Sequence, residues 1–224
     1  MKNILSYDSK FMKTLEQVAD TMLLNILFLI CCLPVFTIGA ALCGLFSGCR
    51  ALSEDTTPFR CFFTGVRTSF KRATLAWLIL LPVLALLTYT AYMVWMLMKM
   101  NATMALFTFI ISLIALATAL CVTTMIFLFY SRFECTLRQL LKNGLFMHLS
   151  CMIRSTLIGL GCWFPVIAFF IQPYLFGQLI PVWLFLYFGV AGNLSVWLMK
   201  KPFARLVERK EEAQEQKVQA EDPL

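Results

Sequence analysis

Two stretches of the chain are nearly free of charge over lengths that a water-facing surface does not tolerate. Across 73–131 the one ionised side chain is Lys99, and across 155–199 there is none. Soluble surfaces intersperse both signs of charge, whereas a helix crossing a hydrocarbon core of about 30 Å needs roughly 20 apolar residues in succession. With 60% of 224 residues hydrophobic and 14% charged, one aqueous core could not hide the apolar side chains. In lipid every backbone polar group must be satisfied inside its own segment, which for uncharged runs of this length means helix. The fold class that follows is all-α: a polytopic transmembrane helical bundle of five or six spans.

The chain divides into three parts. Residues 1–20 read as an interfacial amphipathic N-terminal helix, with Phe11, Leu15, Val18 and Met22 on one side and Lys10, Lys13, Glu16, Gln17 and Asp20 on the other. No short apolar region with a small-residue cleavage site lies there, so the first apolar segment is expected to stay as an anchor. Residues 21–199 form the transmembrane domain, with spans near 21–49, 73–98, 102–131, 155–171 and 179–199. Residues 200–224 are a charged, Gln-rich tail, helical or disordered.

The segment 21–49 would run about 42 Å as a straight helix. Pro34 interrupts it by removing a donor and pushing Leu33 out of the helical region. A kinked, tilted span and a hairpin of two short helices both fit; the hairpin keeps Lys2, Lys10 and Lys13 on the same side as the other basic segments.

Two loops, 50–72 and 132–154, are basic and amphipathic. In the first, Phe59, Phe62, Phe63, Val66 and Phe70 oppose Arg60, Thr64, Arg67 and Lys71, as expected of a helix lying flat with its phenylalanines in the acyl boundary. In the second, Leu137, Leu141, Leu145 and Leu149 oppose Glu134, Arg138, Lys142 and Asn143. The connectors at 99–103 and 172–178, read as short turns, carry one and no basic residue, so the positive-inside rule places both basic loops and the C-terminus in the cytoplasm. Arg60, Arg67, Lys71, Arg72, Arg138, Lys142 and Arg154 are the candidate residues for docking a partner or lipid headgroups. A net charge of +7 in so apolar a chain reflects these loops and not a nucleic-acid surface.

A shift of 82 residues superimposes the two loops without gaps. Arg50 falls on Arg132, Arg60 on Lys142, Arg72 on Arg154 and Thr74-Leu75 on Thr156-Leu157. The register allows a tandem repeat, each unit being a membrane segment, a basic helix and a second span; the alternative is that any two positive-inside loops share edge arginines.

Chemistry is sparse. No phosphate-binding glycine loop, zinc-protease, nucleophile-elbow or EF-hand motif occurs, and no cofactor is implied. The nine cysteines are scattered without a CxxC pair and read as small buried hydrophobes. His148, the only histidine, has Cys151 at i+3 but too few further ligands for zinc, and reads as an interfacial residue. No acidic residue sits at membrane depth, which disfavours ion-coupled transport. Asn25, Thr123, Thr124 and Asn193 are expected to bond between helices, and Gly189 and Gly192 to let the last span approach a neighbour. An enzyme is not expected.

The runs Leu24-Asn25-Ile26-Leu27-Phe28, Leu33-Pro34-Val35-Phe36-Thr37-Ile38-Gly39-Ala40-Ala41, Phe59-Arg60-Cys61-Phe62-Phe63 and Phe70-Lys71-Arg72-Ala73-Thr74 with Trp77 resemble the YesL family of bacterial membrane proteins. The resemblance is specific over 20–80 and looser around 132–157. It implies a multi-pass plasma-membrane protein whose genes often neighbour carbohydrate importers of the ATP-binding-cassette (ABC) type and two-component sensors; it implies no activity and no functional residue. The functional expectation is an accessory or partner component of a carbohydrate uptake system, and the alternative a regulatory or scaffolding protein acting on a sensor kinase or envelope process.

Overall fold

A computed structural model describes residues 10–54, 56–98, 103–133 and 135–221. Those residues contain no strand, and six helices are long and apolar enough to cross a membrane. The protein is a polytopic helical membrane bundle. The expected turn at Lys99-Met100-Asn101, the first nine residues with Lys2, and Asp55 and Glu134 lie outside the described residues.

Helix α1 (Lys10–Cys32) passes through position 20 without a break. The separate interfacial helix expected over 1–20 is, where described, the opening of the first span. The Thr21 hydroxyl donates to the Gln17 carbonyl at 2.7 Å, so its polar group is satisfied within the helix. Leu15, Val18 and Met22 of the expected apolar stripe face outward.

The break comes at Leu33-Pro34. A single 3-10 turn, Val35–Thr37, follows Pro34 in extended conformation, and α2 (Ile38–Ser53) begins directly after it. The Thr37 hydroxyl lies 2.6 Å from the Cys31 carbonyl and 2.7 Å from that of Pro34. The Trp77 indole N–H donates to the Val35 carbonyl at 2.8 Å. These bonds occupy carbonyls that a proline break frees. Beyond the turn the chain doubles back, with Leu24 of α1 against Gly48 of α2. Of the two arrangements open to 21–49, the hairpin is the one adopted.

Helix α2 is the most enclosed element, every residue from Gly39 to Cys49 being buried. It lies antiparallel to the start of α3 (Pro58–Met98). Gly39 faces Ala73 and Trp77, Gly44 faces Phe62 and Val66, and Gly48 faces the Pro58 carbonyl. The first basic segment therefore does not lie flat as a separate helix. It is the opening third of one 41-residue helix, about 60 Å long at the usual rise. The expected apolar stripe divides accordingly: Phe62 is buried on α2 with Phe59 and Val66 packed beside it, while Phe63 and Phe70 point outward.

Helix α4 (Thr103–Tyr130) leads to α5 (Leu137–Ser150), whose N-terminus carries a reciprocal capping box between Thr136 and Gln139. The buried face of α5 is Leu140, Gly144, Met147 and His148. Leu145 and Leu149 of the expected leucine stripe are exposed. Gly144 causes the rotation, because it rests directly on Ile126, and a glycine contact does not register in a count of large apolar residues.

A corner at Cys151 (φ −130°, ψ 45°) separates α5 from α6 (Met152–Ile171). The expected uncharged turn at 172–178 is mostly a short helix, α7 (Pro173–Gln178), followed by α8 (Ile180–Val182), a π turn (Trp183–Tyr187) and α9 (Phe188–Glu221). Helix α9 passes through Lys200 and Pro202, so composition changes at 200 but the helix does not end there.

The 82-residue register reappears in the packing. An added Cβ on Gly39 would stand 2.9 Å from the Trp77 Cβ, and one on Gly159 would stand 2.8 Å from the Cys121 Cα; 39 and 77 correspond to 121 and 159. A Cβ on Gly44 would stand 3.1 Å from the Phe62 carbonyl oxygen, and one on Gly144 would stand 2.9 Å from the Ile126 Cα; 44 and 62 correspond to 126 and 144. Both contacts recur at matched positions, and in both the glycine has moved to the opposite helix.

Candidate functional site

The basic ends of the two units meet. Ser131 follows α4, and its carbonyl accepts a hydrogen bond from Arg50 Nη1 at 3.1 Å. Arg132 follows immediately, its guanidinium 5.4 Å from the centre of the Phe203 ring and 5.9 Å from that of Phe133, within cation–π range. Burial holds the Arg132 guanidinium below its ordinary pKa and the neighbouring Arg50 charge adds to the effect, which Glu54 partly offsets. Arg50 and Arg132 occupy equivalent positions of the two units.

Between α2, α3 and the end of α4 lies a groove of about 370 Å³, where Arg50, Arg60 and Arg132 converge with Ser47, Ser69 and Tyr130. Thr68 and Tyr130 also line a neighbouring groove of about 550 Å³ that holds Arg67, Lys71 and Arg72. Arg72 Nη1 donates to the Cys135 carbonyl at 3.2 Å, tying α3 to the strand of chain before α5. Of the seven candidate docking residues, Arg60 lines the first groove and Arg67, Lys71 and Arg72 the second. Arg138, Lys142 and Arg154 are exposed on α5 and α6 and line neither groove. Arg50 and Arg132 join the site without having been singled out for it; the signal that marks them is their coincidence in the 82-residue alignment.

At membrane depth the polar residues serve packing. Asn25 is fully buried. Its side-chain amide N–H groups donate to the carbonyls of Trp183 (3.1 Å) and Leu184 (2.5 Å), and its side-chain oxygen accepts from the Gly189 N–H at 2.9 Å. A π turn leaves backbone groups out of the regular ladder, and Asn25 supplies their partners from α1. Gly189 rests on Thr21 and Gly192 on Cys49 and Leu45, the close approach expected of the last span. Thr124 accepts from the Trp163 indole N–H at 3.0 Å, and Thr123 bonds within its own helix.

His148 is buried within the bundle. Its Nδ1 and the Ser155 hydroxyl are hydrogen-bonded at 2.6 Å across the α5–α6 corner. Burial keeps the imidazole below its ordinary pKa. Among the described residues no group of three His, Cys, Asp or Glu side chains could hold a metal ion, and the nine cysteines are free thiols.

Residues 21–91 match the sequence model of a family described as protein of unknown function, DUF624, to which YesL-like proteins belong. The match covers the hairpin, α2 and most of α3. No curated protein and no solved structure matches the chain.

Proposed function

From a chain whose residues 21–91 match the DUF624 family model, we propose a non-catalytic accessory subunit of a carbohydrate uptake system of the ABC type. It resides in the bacterial plasma membrane with its basic end and C-terminus in the cytoplasm. The observation that carries this reading is the placement of α5. A capped 14-residue amphipathic helix stands between two spanning helices at the basic end and presents Arg138 and Lys142 outward. Importer permeases offer short helices in such a position to their ATPase subunits. Outward charge on a helix held firmly by Gly144 and Met147 suits an electrostatically steered, reversible contact.

The test is capture of tagged full-length protein from gently solubilised membranes of the source organism. Importer subunits should co-purify, the Arg138→Ala/Lys142→Ala variant should lose them, and deletion should slow sugar uptake. A sensor kinase in the capture, with uptake unchanged, would replace this reading by the regulatory one. Recovery of the protein alone with normal uptake would reject the importer assignment.

A further inference from the structure

We infer that the groove where the two repeat units meet, formed by Arg50, Arg60 and Arg132 with the hydroxyls of Ser47, Ser69 and Tyr130, binds a phosphate group, that of a phospholipid headgroup or of a soluble phosphate ester. The argument begins with Arg50 and Arg132. They are equivalent positions, so meeting at the junction brings two like charges together, Arg50 half-buried and Arg132 exposed. Like charges in a medium of reduced dielectric repel more strongly than in water, and an anion between them turns that repulsion into attraction.

The groove suits that anion. Guanidinium groups offer paired donors that match phosphate oxygens, and Arg50, Arg60 and Arg132 all line it. Arg50 is held in place by the Ser131 carbonyl and Arg132 by the faces of Phe133 and Phe203, so little side-chain freedom remains to be lost on binding. Glu54 lines an adjoining crevice with Arg50 and Arg132. The second groove, with Arg67, Lys71 and Arg72, continues the positive lining outward. Basic pockets between spanning helices at the cytoplasmic face are the kind of site that takes anionic headgroups, and ligand sites of repeat-built membrane proteins lie between the repeats. The inference does not depend on the importer reading, because the groove lies apart from Arg138 and Lys142.

The experiment uses full-length protein purified in a neutral detergent. Three probes are titrated at constant ionic strength: phosphatidylglycerol, phosphatidylcholine and glycerol phosphate. Bound lipid is read by native mass spectrometry and stability by the thermal midpoint. Wild-type protein should retain phosphatidylglycerol in preference to phosphatidylcholine. Arg60→Gln and Arg132→Gln should each weaken retention about fivefold, in line with the contribution of one basic residue near an anionic headgroup. The charge-matched control Arg138→Gln/Lys142→Gln should change it little. Arg60 is exposed, so its variant remains informative if Arg132→Gln misfolds. Stabilisation by glycerol phosphate with the same arginine dependence, and no lipid preference, would assign the groove to a soluble ester. The inference is overturned if the control weakens retention as much as Arg60→Gln, or if no probe distinguishes Arg60→Gln from wild type.

Discussion

The two repeat units use one packing scheme and present different outer faces. In the first, positions 67 and 71 of α3 are Arg and Lys, both exposed; their equivalents in the second, Leu149 and Ile153, are exposed and apolar, Ile153 by 80%. The first basic segment continues straight into its span, whereas the second is cut from its span at Cys151. Inside, the paired contacts persist with glycine on opposite partners. Packing thus preserves one glycine at each contact and not its place, as expected where two helices must approach closely. The outward faces carry no such constraint and have diverged.

The largest expected effect comes from filling both sides of one contact. Gly44→Ile puts a branched side chain against Phe62 and Val66, and should cost about 3 kcal/mol, lowering the thermal midpoint in detergent by roughly 6–12 °C. Gly44→Ile/Phe62→Gly recreates in the first unit the arrangement of the second. It should recover part of the loss, short of the penalty of about 1 kcal/mol for glycine inside a helix. A double variant no more stable than Gly44→Ile would break the equivalence of the two contacts.

Next in size is Asn25→Leu. Position 25 corresponds to Phe107, which is exposed, so the clamp on the π turn has no counterpart in the second unit. Losing its three hydrogen bonds should cost about 2 kcal/mol, and amide exchange should rise at Gly189 before it rises in α4. Uniform exchange throughout the bundle would show that the clamp is not local.

These features were unequally legible in the sequence. Charge-free runs and Pro34 set the spans and the reversal, because the cost of charge in lipid and the missing proline N–H act locally. The continuity of α3 was hidden because Arg67, Lys71 and Arg72 look like a membrane boundary, yet nothing in 58–72 stops a helix. Leucine spacing on α5 points to the wrong register because Gly144 is defined by what faces it. Asn25 stood out as polar in an apolar run, but its partners lie at least 158 residues away and rest on a π turn that periodicity does not reveal. The groove needed Arg50 and Arg132 brought together by the repeat interface.

The corner offers a smaller, pH-dependent effect. His148 and Ser155 replace the Val66 and Ala73 of the first unit, so a polar staple stands where the straight helix has apolar packing. Ser155→Ala should cost about 1 kcal/mol. Burial lowers the His148 pKa from the ordinary 6.5, so the unfolded chain binds the proton first as pH falls. Stability is therefore level above about pH 6.5 and declines below it. His148→Gln should flatten the slope of thermal midpoint against pH between 7.5 and 5.5; an unchanged slope would place the sensitive group elsewhere.

The smallest effect on stability, and the sharpest on the outer faces, belongs to cysteines placed at equivalent exposed positions. Lys71→Cys and Ile153→Cys alter no buried contact, so each should shift the midpoint by less than about 0.5 kcal/mol. If the scheme sets both positions at matching depth, the rate of labelling by a water-borne maleimide in inside-out vesicles, corrected for the native cysteines, compares their surroundings directly. Lys71→Cys should label several times faster, because a lysine there keeps its ammonium in water, while Ile153, exposed by 80%, shares an exposed apolar face with Phe146, Leu149 and Met152 that suits lipid or another apolar surface. Equal rates would place Ile153 in water. An apolar face left wet in the isolated bundle would then have to be covered by protein, making the second unit the side on which a partner sits.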